Sequence, residues 1–193
     1  MISTSSGWRQ YARAVRRTLA GLLHPWRRAQ SRARLLAAQP PATILMVCHG
    51  NLCRSPYAAS ALRRLLPPPA SGTRIESAGF IGPHRTPPPE ALEVAGARGI
   101  DLRRHRSRVI TSGAVTGSDL VVVMEPGQVE ALRPFGKTKR PVVVLGDLDP
   151  HKAIERIIRD PVEQPRKVFA ETYDRIDRCL AELVNTIWGA CGG

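Results

Sequence analysis

Cys48 and Arg54 stand six residues apart, and around them lie His49, Gly50, Asn51, Leu52, Cys53, Ser55 and Pro56. A thiol and a guanidinium at this spacing, on a loop that enters a helix, suit covalent phosphoryl transfer. The first turn of a helix offers unpaired backbone N–H groups and the positive end of its dipole, which together attract an anion. Gly50 allows a positive φ and Asn51 tolerates the left-handed conformation, so the loop can curl into an anion nest. Arg54 can reach across it and hold two phosphate oxygens in a fork. The same positive field favours the thiolate of Cys48, a nucleophile near neutral pH. Ser55 can donate to that sulfur and stabilise it again as a leaving group. His49, Gly50, Asn51, Leu52 and Cys53 are then the phosphate-binding residues, and the chemistry needs no metal or cofactor. Cys53 is open to two readings, a thiol that supports the loop or a partner that captures oxidised Cys48 in a disulfide.

Such a loop needs a strand behind it and a helix in front. Residues 43–47 are a short apolar run fit for a buried strand, and Pro56 suits the first turn of a helix that ends before Pro67. Further strands are expected at 73–77, 119–124 and 141–145, and helices at 88–98, from Pro126, and over 164–188. The last helix carries Phe169, Tyr173, Ile176, Cys179 and Leu180 on its apolar face, which makes Cys179 a core residue; Cys191 is a tail thiol. Alternating strands and helices imply right-handed crossovers and an α/β three-layer sandwich with a four-stranded parallel sheet, flavodoxin-like. In that architecture the site lies at the C-terminal ends of the strands, where the cysteine loop follows the first one.

The chain has 193 residues, 42% of them hydrophobic, a length and composition that can bury a real core and exclude wholesale disorder. Four cysteines are too few for a disulfide scaffold and favour a reducing, cytoplasmic setting. The net charge of +13 is unevenly spread. Residues 1–41 hold eight arginines and no acid, while residues 42–193 carry only +5. Three segments follow: a basic extension over 1–41, a catalytic domain over 42–188 and a tail over 189–193. In the extension, Trp8, Tyr11, Ala12, Val15, Leu19, Leu22, Leu23 and Trp26 recur at helical spacing, with most arginines off that stripe. A cationic amphipathic helix over 8–26 suits peripheral contact with an anionic membrane surface or a partner. Packing on its own domain, a transit peptide or a misplaced translation start are the alternatives. No recognition motif for nucleic acid accompanies the charge, so no nucleic-acid partner is expected.

Cys48-His-Gly-Asn-Leu-Cys-Arg-Ser-Pro56 resembles the signature of the low-molecular-weight protein-tyrosine-phosphatase family. Ser77-Ala78-Gly79, Gly99-Ile100-Asp101-Leu102, His105 and Ser107-Arg108 are similar to later family stretches. The resemblance implies hydrolysis of a phosphoprotein or small aryl phosphate, with a bacterial tyrosine-kinase tail as a candidate partner. It also implies a general acid in an Asp-Pro before the last helix. Asp149-Pro150 and Asp160-Pro161 both qualify, and the short distance from Asp160 to Phe169 and Tyr173 favours Asp160. Where family members carry aromatic pocket walls, this chain has Val162 and, nearest the other position, Pro83. That departure puts the preference for phosphotyrosine in question. Thioredoxin-coupled arsenate reductases are similar in loop and fold, but need a further cysteine pair that is missing between Cys53 and Cys179. A non-catalytic phosphoprotein binder would have no use for both a nucleophile and an acid.

Overall fold

The computed structural model describes residues 5–151 and 155–189, with side chains from residue 21 onward. Its elements are α1 (Ser5–Leu36), β1 (Thr43–Cys48), α2 (Arg54–Leu65), β2 (Arg74–Gly79), α3 (Pro89–Gly96), α4 (Ser112–Gly117), β3 (Leu120–Val123), α5 (Pro126–Ala131), β4 (Val143–Val144) and α6 (Arg166–Trp188). The four strands form one sheet in the order β2-β1-β3-β4, and every pair is parallel. Side chains alternate across a strand, so β1 feeds two cores. Ile44, Met46 and Cys48 join Leu62 of α2, Val94 of α3 and Phe169, Tyr173 and Leu180 of α6. Leu45 and Val47 face the other way, with Val115 of α4 and Leu132 beyond α5. This is the expected three-layer sandwich. Residues buried on both faces explain why β1 reads as an unbroken apolar run.

Several boundaries differ from expectation. β2 continues through Ala78 and Gly79, because those residues pair with Val47 and Cys48. β4 is cut to Val143–Val144, since the chain coils into a 3-10 turn over Leu145–Leu148. α3 stops at Gly96. α4 is new: Thr111 caps it, its Oγ1 accepting from Ala114 N at 3.2 Å, and the two glycines within it hide any helical period.

α1 is a single helix that includes Pro25 and runs ten residues past the expected Trp26. It docks on the domain through Gly21, His24, Ser31 and Leu35, all buried. Arg28 and Arg32 both reach Glu182 of α6, at 2.7 and 2.8 Å. His24 Nε2 donates to the Asp149 carbonyl at 3.0 Å. The docked face is thus mostly polar, while Leu22 (64% exposed) and Trp26 (62%) from the apolar stripe turn outward with Leu23. The side chains of Trp8, Tyr11, Ala12, Val15 and Leu19 lie outside the described residues, as does Cys191. No described helix is long and apolar enough to cross a membrane.

Candidate active site

The loop after β1 is shaped by Asn51. This residue, and not Gly50, takes the left-handed conformation, with φ +52°. Its side chain is fully buried and saturated. Asn51 Nδ2 donates to Ser55 Oγ (2.9 Å) and Ser77 Oγ (3.0 Å), and its Oδ1 accepts from Arg108 N (2.9 Å). Its carbonyl accepts from His105 Nε2 at 2.7 Å, which fixes that ring's proton on Nε2. Burial holds His105 below the usual histidine pKa. The later stretches quoted from the sequence, Ser77 and His105 to Arg108, therefore brace the loop. Gly79 lies under it so closely that a Cβ there would stand 2.7 Å from the backbone of His49 and Asn51.

Cys48 ends β1, buried, with Ser55 Oγ 3.0 Å from its sulfur. Asn51 already donates to Ser55 Oγ, so the serine's own hydrogen has two acceptors in reach, the Cys48 sulfur at 3.0 Å and the more distant Ala78 carbonyl at 3.4 Å. No side chain caps α2, so its first-turn amides keep their positive end toward the loop. Cys53 is also buried, and its thiol is pushed strongly up by burial and by neighbouring Cys48, which keeps it protonated.

Arg54 is the largest charged side chain in the core at 2% exposure. Its Nη1 donates to the Ile158 carbonyl at 3.1 Å and faces Glu125 Oε1 at 3.4 Å. Its Nη2 is ion-paired with Asp160. Its buried Nε has no hydrogen-bond partner among the described residues. A buried guanidinium that keeps one donor uncommitted, with another shared only with a half-exposed carboxylate, suits an oxyanion ligand.

Cys48, His49, Gly50, Leu52, Cys53, Arg54 and Asp160 line one pocket of about 180 Å³, with Ile81, Arg85 and Val162 completing its walls. Ser55 and Asn51 stand behind it. Asp149 is not in the lining; its carboxylate is paired with Arg175 and Arg178. Pro83 is not a wall either. Ile81 and Arg85 take that place, two residues to either side, because the 80–88 loop is tied back through Ser107, whose Oγ accepts from Arg85 N at 2.9 Å. Sequence reasoning missed both, as nothing periodic marks a loop residue that tertiary contacts turn toward a site. The Ile158 carbonyl, which a loop brings to Arg54, escapes it for the same reason. The aromatic pair behind α2 was half visible: Tyr173 lies on the apolar face of α6, and it stacks on Tyr57 at 3.7 Å.

Comparison with known proteins agrees with this geometry. A family model described as low molecular weight phosphotyrosine protein phosphatase matches residues 43–189. The chain is 35% identical over 138 residues to the Probable low molecular weight protein-tyrosine-phosphatase EpsP of Ralstonia nicotianae, covering 70% of this chain and 89% of that one. It is 33% identical over 147 residues to the low molecular weight protein-tyrosine-phosphatase Wzb of Escherichia coli, covering 75% and 94%. Among solved structures, Vibrio vulnificus Wzb in complex with benzylphosphonate superposes with a TM-score of 0.65 at 30% identity, covering 74% of this chain and 97% of that one. On its cysteine loop, its fold and these likenesses, the chain belongs to the low molecular weight phosphotyrosine protein phosphatase family.

Proposed function

We propose that residues 42–188 hydrolyse protein phosphotyrosine through a cysteinyl-phosphate intermediate. The observation that carries this reading is the convergence of Cys48, Arg54 and Asp160 on one pocket, with Ser55 against the sulfur. Phosphate oxygens sit on the backbone amides of residues 49–53 and on Arg54, whose Nε and Nη2 make a fork once the dianion displaces Asp160 from Nη2. Cys48 attacks phosphorus in line, and Asp160 protonates the departing phenolic oxygen. Asp160, now a carboxylate, takes a proton from water, which attacks the cysteinyl phosphate and expels the thiolate toward Ser55. Ile81, Leu52 and Val162 give an aliphatic slot for the ring, and the Vibrio relative's complex with benzylphosphonate supports an aromatic ligand. In this reading the enzyme is cytoplasmic and a tyrosine-kinase tail is a fitting substrate.

In the full chain, p-nitrophenyl phosphate is expected to release one equivalent of p-nitrophenol in a burst, with a phosphate adduct on the Cys48 peptide by mass spectrometry. Asp160→Ala should lower kcat on a phosphotyrosine peptide on the order of 10²-fold. A chain with neither burst nor adduct refutes the covalent route, and equal rates on phosphoserine and phosphotyrosine peptides refute the substrate.

The outward stripe favours a second element of function, contact of α1 with an anionic membrane surface. The domain takes the polar face of the helix, so Leu22, Leu23 and Trp26 remain beside Arg27, with arginines and no acid throughout 1–41. Full-length protein should co-sediment with phosphatidylglycerol vesicles and not with phosphatidylcholine vesicles. Trp26→Glu together with Leu22→Glu should weaken this roughly tenfold or more, from lost apolar burial alone. Unchanged sedimentation would assign the stripe to another partner.

A further inference from the structure

The second Asp-Pro of the sequence has no part in the chemistry above, yet its aspartate is among the most tightly held charges in the molecule. The Asp149 side chain is 3% exposed. It accepts from Arg175 Nε at 3.0 Å, from Arg178 at 3.5 Å, and from the backbone N–H of His151 at 3.1 Å. Arg175 does not end there. Its Nη1 donates to the Ile157 carbonyl at 2.7 Å and its Nη2 to the Glu155 carbonyl. A planar guanidinium whose Nε is held by a carboxylate has its other donors aimed in related directions, so Asp149 is linked through Arg175 to those two carbonyls.

The segment so held is the one that delivers the catalytic groups. Arg156 forks onto Asp147 at 2.8 and 2.7 Å. A Cβ on Gly146 would stand only 2.1 Å from the Arg156 carbonyl, so the backbones touch. Ile158 is buried, its N–H donates to Met124 at the end of β3 (2.9 Å), and its carbonyl accepts from Arg54 Nη1. Asp160 follows two residues later. The run 155–158 is thus fixed by β3 at one end, by the turn after β4 along its middle, and by α6 through Arg175.

We infer that Asp149 is a positioning residue: through Arg175 it sets the segment that presents Asp160 to the leaving oxygen and the Ile158 carbonyl to Arg54. This rests on Asp160 being the general acid. A purely structural clamp would slow all substrates alike or not at all. A clamp that aims an acid shows itself most where the leaving group most needs a proton.

The test uses the full chain with phenyl phosphate, a poor leaving group, and p-nitrophenyl phosphate, a better one. Asp160→Ala supplies the reference, since loss of the acid should penalise phenyl phosphate far more. Asp149→Asn should lower kcat on phenyl phosphate roughly tenfold, the scale of a small misplacement of a catalytic group, and on p-nitrophenyl phosphate by a much smaller factor. Arg175→Gln, which removes the link while leaving Asp149 its bond to Arg178, should show the same skew. In an Asp160→Ala background neither change should add to it. Equal losses on both substrates, no loss, or a skew that adds to that of Asp160→Ala would each overturn the assignment. If Asp160→Ala itself shows no leaving-group skew, the acid assignment is what fails, and that variant alone reports it.

Discussion

Cys48→Ser is expected to lower turnover of p-nitrophenyl phosphate by roughly 10⁴–10⁶-fold, the scale seen when an enzyme loses its nucleophile. The reasoning starts from the site's preparation for a sulfur anion. Cys48 is buried at the end of β1, and Ser55 Oγ stands 3.0 Å away, nearer than the Ala78 carbonyl at 3.4 Å that is the hydroxyl's other acceptor. The uncapped start of α2 adds positive potential. A serine hydroxyl in this position fits the same volume and keeps the hydrogen bond, but holds its proton at any pH the fold tolerates. Phosphate should therefore still bind, and the variant should hold phosphotyrosine proteins without releasing them. The checks are steady-state kinetics, a thermal melt near that of the wild type, and recovery of phosphoprotein on the immobilised variant. Full activity in a folded Cys48→Ser protein would remove the sulfur from the mechanism.

Arg54→Lys should be the second largest loss, on the order of 10³–10⁵-fold in kcat/KM, comparable to deleting an arginine that stabilises a phosphoryl transition state. The substitution keeps the charge and removes the fork. Arg54 spends Nη1 on the Ile158 carbonyl and keeps Nε uncommitted, so one planar group both holds its own support and offers two donors to phosphate. An ammonium cannot do both. The loss should fall on transition state and ground state together, so inhibition by vanadate weakens in parallel. Asp160→Ala should leave vanadate binding intact or strengthen it, because Asp160 no longer competes for Nη2. An Arg54→Lys enzyme with normal vanadate affinity would show that phosphate is held elsewhere.

The cysteine loop could be read from sequence because its chemistry is local. A strand, a glycine, a left-handed asparagine and a helix start are all specified within the 14 residues from Thr43 to Pro56. Even there, the burden of the left-handed turn falls on Asn51, which only its four hydrogen bonds reveal. Spacing to Phe169 and Tyr173 already favours Asp160 of the two Asp-Pro pairs, and their partners differ too: Arg54 for Asp160, Arg175 and Arg178 for Asp149. The pocket walls Ile81 and Arg85 were out of reach, since their direction is set by Ser107, more than 20 residues away. The leader shows a different limit. Periodicity finds the helix of α1, but an amphipathic pattern does not say which face meets the domain. Here Arg28, Arg32, His24 and Ser31 do that work beside Gly21 and Leu35, a combination that reads as a solvated face.

The direction of α1 has a consequence for reach. Arg28 and Arg32 meet Glu182, and Leu35 and Leu36 lie beside Ile187, so α1 and α6 point the same way. α6 begins six residues after Asp160, at the end of the sheet where the pocket opens, and its Ile187 lies beside Pro40 just before β1, at the other end. Traced back from His24, the remaining 19 residues of α1 therefore head toward the pocket's side of the molecule, over a length of about 30 Å. A tether that leaves on that side shares a half-space with the catalytic mouth. If the stripe docks on a surface as proposed, phosphorylated tails on that surface would stand on the pocket's side and meet it at a raised effective concentration.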